Sequence, residues 1–103
     1  MMLNDIVRIL TLILILLSQA FLLSAQTRYT LSGYVRDSLS RETLIGATVQ
    51  AKETGRAVGT NQYGFYSLTL PEGEYTLIVS FVGYAPFEKK ISLHTDLELN
   101  LPV

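Results

Sequence analysis

One hundred and three residues, 49% hydrophobic and with a formal charge of −1, fit one small domain. The lack of cysteine excludes a disulfide scaffold, thiolate zinc sites, a Cys nucleophile and a lipidated cysteine. The near-neutral charge excludes the basic footprint of a nucleic-acid binder and a polybasic membrane patch, and a single histidine leaves no material for a multi-His site.

The apolar residues crowd the first 25 positions. Arg8 stands just before the run Ile9–Leu17, and small residues follow at Ser24 and Ala25. A positive residue, a short apolar run and small residues make the layout of a secretory signal. Cleavage is expected between Ala25 and Gln26, with Ala20 as a second possible site. Ile9 to Leu23 makes only about 22 Å of helix, short of the ~30 Å hydrocarbon core, so a cleaved signal is favoured over an anchor. Asp5 departs mildly from the signal pattern. The domain division is therefore 1–25, signal peptide, and 26–103, folded domain. A cysteine-free exported chain suits a bacterial periplasm.

After the leader the chain shows no helical period. Short alternating stretches are broken by Gly, Pro, Asn and Asp every 8–12 residues, the pattern of an all-β sandwich or barrel. Seven strands are predicted. The first covers 29–36, with Leu31, Gly33 and Val35 inward and Tyr34 outward. A second covers 44–52, with Ala47, Val49 and Ala51 inward, and a weak third covers 56–60. The fourth, 65–70, follows the turn Asn61-Gln-Tyr-Gly64. Pro71-Glu-Gly73 turns the chain into the fifth, 74–82, where Tyr75, Leu77, Val79 and Phe81 share a face. A half-covered Ile78 marks that strand as central. The sixth covers 87–93 and the last 97–101. Lys89 and Lys90 on the sixth strand suit the protection of a sheet edge.

Chemistry-bearing residues are sparse. Glu72 and Glu74 flank a turn, and Asp96 and Glu98 flank the last strand. Both pairs are expected to face solvent, without the distinct environments that an acid/base pair requires. His94 is read as a loop histidine. The 61–64 turn has too few oxygen ligands for calcium, and Gly55–Gly59 lacks the features of a phosphate loop. No cofactor or metal is expected. Tyr34 and Tyr63 are predicted to be exposed and are the candidate contacts to a glycan or partner. The Tyr75 hydroxyl is expected to bond back across the Pro71 turn, in the manner of a tyrosine corner.

Five blocks arrive in order: Leu31-Ser-Gly-Tyr-Val-Arg-Asp37, Leu44-Ile-Gly-Ala-Thr-Val49, Gly59-Thr-Asn-Gln-Tyr-Gly-Phe-Tyr-Ser-Leu68, Pro71-Glu-Gly-Glu-Tyr-Thr-Leu77 and Val79-Ser-Phe-Val-Gly-Tyr84. Together they resemble the carboxypeptidase-regulatory-like domain, in particular the N-terminal extension of TonB-dependent outer-membrane receptors. The resemblance spans about residues 28–101. It implies a seven-stranded, transthyretin-like or Ig-like Greek-key β-sandwich without catalytic activity. Its motif positions are shape-forming: Gly33 and Gly46 where a side chain would crowd the facing sheet or a bend, Gly64, Pro71 and Gly73 in hairpin turns, and Gly83 where the chain stops so that Tyr84 folds over the edge. In such receptors a plug and barrel follow, whereas this sequence stops at Val103, as a receptor fragment or a stand-alone module would.

The functional expectation is a periplasmic, outer-membrane-associated interaction module. Its partner would be a protein, such as a receptor plug or barrel or the energy-transducing components. The alternative is a stand-alone secreted module that binds carbohydrate or surfaces through exposed tyrosines. A transthyretin-like hydrolase is disfavoured, because the lone His94 lacks catalytic company.

Overall fold

The computed structural model describes residues 2–24 and 26–103, with side chains for 2–19 and 26–103. One helix, α1 (Met2–Ser24), precedes eight strands. Its side chains from Met2 to Gln19 are exposed. At 23 residues it is about 35 Å long, longer than the apolar run alone suggested, because the segment holding Asp5 and Arg8 joins the same helix. A helix this long and apolar could cross a membrane, and a signal sequence near the N-terminus has the same properties. The expected cleavage position at Ala25 lies outside the described residues.

The strands form two sheets. In the first, β1 (Arg28–Arg36) runs antiparallel to β4 (Phe65–Pro71) on one side. On its other side it runs parallel to β7 (Leu97–Glu98) and β8 (Leu101–Pro102). The second has the order β3 (Ala57–Gly59), β2 (Thr48–Ala51), β5 (Gly73–Ser80), β6 (Phe87–Leu93), all neighbours antiparallel. Two-residue alternation decides which side chains enter the space between the sheets. Leu31 and Val35 of β1, Tyr66, Leu68 and Leu70 of β4, Val49 and Ala51 of β2, and Leu77 and Val79 of β5 are buried there. Each buried Leu or Val contributes about 1.5–3 kcal/mol. Thr60 is the one buried polar side chain among the described residues. Its hydroxyl donates to the Leu44 carbonyl at 2.6 Å and accepts from the Ala47 N–H at 2.8 Å.

Three boundaries differ from the sequence reading by more than one residue. Leu44 is buried but precedes β2, because the chain turns at Ile45-Gly46, where Gly46 has φ +77°. The fifth strand ends at Ser80, before the turn made by Gly83 at φ +87°. The last predicted strand is two short ones, so the strands number eight rather than seven. Between them Leu99 and Asn100 lift out of the ladder: the Leu99 N–H donates to the Ser32 carbonyl at 2.7 Å, and the Asn100 Oδ1 accepts the Tyr34 N–H at 2.9 Å.

Strands β3 and β4 come together on one flank, where Arg56 Nη1 donates to the Thr69 carbonyl at 3.2 Å. The other flank has two edges, broken β7/β8 and continuous β6. On β6, Lys89 occupies the inward register between Phe87 and Ile91, yet it is exposed.

The loops sort to two ends. One end gathers the 37–47 loop, the 60–64 turn, the 81–86 turn and Val103. It is tied by Ser38 N–H to the Val103 carbonyl at 2.9 Å and Gly46 N–H to the Thr60 carbonyl at 3.2 Å. The opposite end holds Thr27, whose carbonyl accepts the Glu72 N–H at 3.0 Å, together with the 52–56 and 93–96 turns.

Candidate functional site

On the outer face of the first sheet, an aromatic pair meets polar side chains. The second half of β1 turns Ser32, Tyr34 and Arg36 outward. The register sets Tyr34 beside Phe65 of β4 and Ser32 beside Glu98 of β7. The lifted Leu99–Asn100 segment then raises a rim along one side, and the result is a concavity of about 430 Å³ lined by these side chains and Asn100.

Its geometry follows from local chemistry. Tyr34 and Phe65 meet edge to face, ring centroids 5.4 Å apart, the arrangement that ring quadrupoles favour. The Arg36 guanidinium lies 5.3 Å from the centre of the Tyr34 ring, within cation–π range. Neither Arg36 nor Glu98 has an ion-pair partner among the described residues. The Asn100 Oδ1 is committed to the Tyr34 N–H, which turns its amide N–H₂ group outward as a free donor.

The floor of this concavity explains Gly33. A Cβ there would sit 2.1 Å from the Leu99 carbonyl oxygen and 2.6 Å from its carbon. The crowding partner is thus the lifted segment at the sheet's own edge, not the facing sheet. The same carbonyl accepts the Tyr66 hydroxyl at 2.6 Å, and burial pushes the Tyr66 phenol pKa up, so it stays a neutral donor. Gly33, Tyr66 and Leu99 hold the rim in place.

The other sequence-singled residues lie elsewhere. Tyr34 is 37% exposed and Tyr63 64% exposed, as expected; Tyr63 sits in the turn leading to Phe65, near but outside the concavity. The Tyr75 hydroxyl donates to the Pro71 carbonyl at 2.6 Å, closing the predicted corner over Gly73. A side chain at Gly46 would meet open space, so that glycine serves the left-handed bend and no crowding. A Cβ at Gly64 would press on Thr43 at 2.6 Å. Tyr84 folds over the end of the sandwich, edge to face with Phe81, and its hydroxyl donates to Asp37 Oδ2 at 2.5 Å. That bond, aided by the backbone N–H groups of Ser40 and Leu39, holds the Asp37 carboxyl down at about 2.

One association escaped the sequence reading. His94, expected to lack partners, has Nδ1 at 2.8 Å from Glu72 and Nε2 at 3.3 Å from Glu74. The antiparallel β5–β6 register brings them together, pairing Glu74 with Ser92; the signal was present only in the hairpin pairing. The two carboxylates, Glu72 first, raise the His94 pKa. Ser92 donates to Glu74 and not to His94, so no nucleophile–base pair forms. Among the described residues no group of His, Asp and Glu is arranged to hold a metal ion.

Two apposed antiparallel-rich sheets, an open concavity and turn-forming glycines define a small β-sandwich module. The chain belongs to the CarboxypepD_reg-like domain family, whose model matches residues 31–103, a regulatory, non-catalytic fold family. Among solved structures, a DUF3823 family protein from Parabacteroides merdae is similar in fold, with a TM-score of 0.53 at 23% identity. The match covers 75% of this chain and 46% of that one, so the chain spans about half its length. No curated protein matches the chain.

Proposed function

We propose that the chain is a non-catalytic, exported interaction module that works in the periplasm through protein contacts, as the N-terminal extension of a TonB-dependent outer-membrane receptor. The observation that carries this reading is the uneven placement of exposed apolar side chains. Leu39 (94% exposed), Val82 (92%), Tyr63 and Ile45 all sit at the end that also holds Val103. The opposite end bears Lys52, Glu53, Glu72, Glu74, His94 and Asp96, all polar and exposed. Concentrated exposed apolar groups mark contact sites, and here they are held firmly. Asp37 Oδ1 accepts the N–H groups of Leu39 and Ser40, each at 2.8 Å, while Tyr84 fastens the Val82 turn to the same carboxylate. Family membership and the apolar leader support export and a non-catalytic role.

Site-specific photo-crosslinking in the native cell envelope tests this. A crosslinker at position 39 or 82 is expected to capture an outer-membrane receptor plug or barrel, identified by mass spectrometry. A crosslinker at Glu74 is expected to capture none. Equal capture from both ends, or none from either, overturns the reading.

A further inference from the structure

We propose that the concavity over Tyr34 is a binding subsite for one neutral pyranose unit of a saccharide. Its volume, about 430 Å³, falls in the usual range for small-ligand sites, roughly 300–1,000 Å³. The lining decides the ligand class. Arg36 offers several N–H donors, Glu98 two acceptor oxygens, Asn100 a free amide N–H₂ and Ser32 a hydroxyl. An anion placed here faces the unpaired Glu98, and a cation faces the unpaired Arg36. A neutral molecule carrying many hydroxyls satisfies both at once.

The aromatic component points the same way. A pyranose has an apolar C–H face, and Tyr34 offers apolar area with a polar tip. Arg36 lies over that ring on a long, exposed side chain. A sugar seated on the ring moves the guanidinium to the rim, where it bonds the hydroxyls. The outer face of β1 and β4 otherwise carries Arg28, Thr30, Ser67, Thr69 and Pro71, none of them aromatic, so the aromatic pair is confined to one unit-sized spot. The rim is rigid, because Gly33 and Tyr66 fix the Leu99 carbonyl and the Tyr34 N–H fixes Asn100.

The test is a titration of the full chain in detergent with the methyl pyranosides of glucose, galactose, mannose and N-acetylglucosamine, followed by amide NMR. Glycylglycine is the zwitterionic control. At least one pyranoside is expected to give saturable shifts centred on Ser32, Tyr34, Arg36 and Asn100, with Kd on the order of 1 mM. Tyr34→Ala is expected to weaken binding about tenfold, and Tyr63→Ala to leave it unchanged. Arg36→Gln changes only an exposed side chain; it is expected to weaken binding severalfold and serves as the arbiter if Tyr34→Ala does not fold. No saturable shift with any pyranoside overturns the proposal. So does binding unaltered by Tyr34→Ala and Arg36→Gln, or stronger saturation by glycylglycine.

Discussion

Gly33 is the residue on which most of the local geometry turns. Its hydrogen faces a backbone carbonyl that is already engaged by Tyr66. Gly33→Ala forces the Leu99–Asn100 segment outward and strains the β1–β8 pairing. Overpacking of this kind costs about 1–3 kcal/mol; a matching fall in the denaturation midpoint is the expected result. Tyr66→Phe removes the phenol donor without adding bulk, and is expected to cost about 1 kcal/mol. Asp37 offers a second measurement at this scale. Its carboxyl is held at about 2, chiefly by the Tyr84 hydroxyl. A carboxyl with a lowered pKa stabilises the fold above the unfolded value of 3.8, and that contribution is lost as pH falls toward 2. In Tyr84→Phe the Asp37 titration followed by NMR is expected to move up toward its ordinary value, and the acid limb of stability to shift to higher pH. An unmoved Asp37 titration would show that the turn clip is not carried by this bond.

Among the elements, β6 bears the main exposure to self-association. It is the one continuous edge on the open flank, seven residues long, and an unpaired edge of that length is a template for another strand. Lys89 interrupts its inward register between Phe87 and Ile91, so a strand arriving from a second copy meets a charge where it needs an apolar surface. Replacing both Lys89 and Lys90 with Val is expected to raise light scattering during refolding several-fold, with little change in the midpoint. That outcome separates edge protection from a contribution to folding stability. The strands themselves were largely legible, because period-two alternation and turn residues are local. Thus β6 was delimited at both ends, and the Tyr75 corner was foreseen from the Pro71 turn. What escaped notice needed partners distant in sequence. The break at Leu99–Asn100 is produced by Gly33 and Tyr66, more than thirty residues away. The rim of the concavity, and with it Asn100 and Glu98 beside Tyr34, could not be read before the parallel β1–β7 pairing was known. His94 found its carboxylates the same way, through the β5–β6 register.

For the whole molecule, helix α1 and the sandwich obey different solvents. Helix α1 carries exposed apolar side chains along Met2–Gln19, a surface that water does not tolerate and lipid or the export machinery does. The folded part gathers most of its apolar side chains into one core and leaves no buried side-chain polar atom unpartnered among the described residues. Mass spectrometry of the exported protein is expected to give a chain starting at Gln26. A retained leader, found as the full-length mass in the membrane fraction, would make α1 an anchor.

The separation of the chain's two exits has a mechanical outcome. β1 begins at Arg28 and runs nine residues, about 30 Å, to the end where Val103 is fastened to Ser38. Val103 therefore lies one full strand's length from Arg28. Tension applied between the two would pull along β1 and load its hydrogen bonds to β4 and β8 in shear, all at once, rather than peeling them one by one.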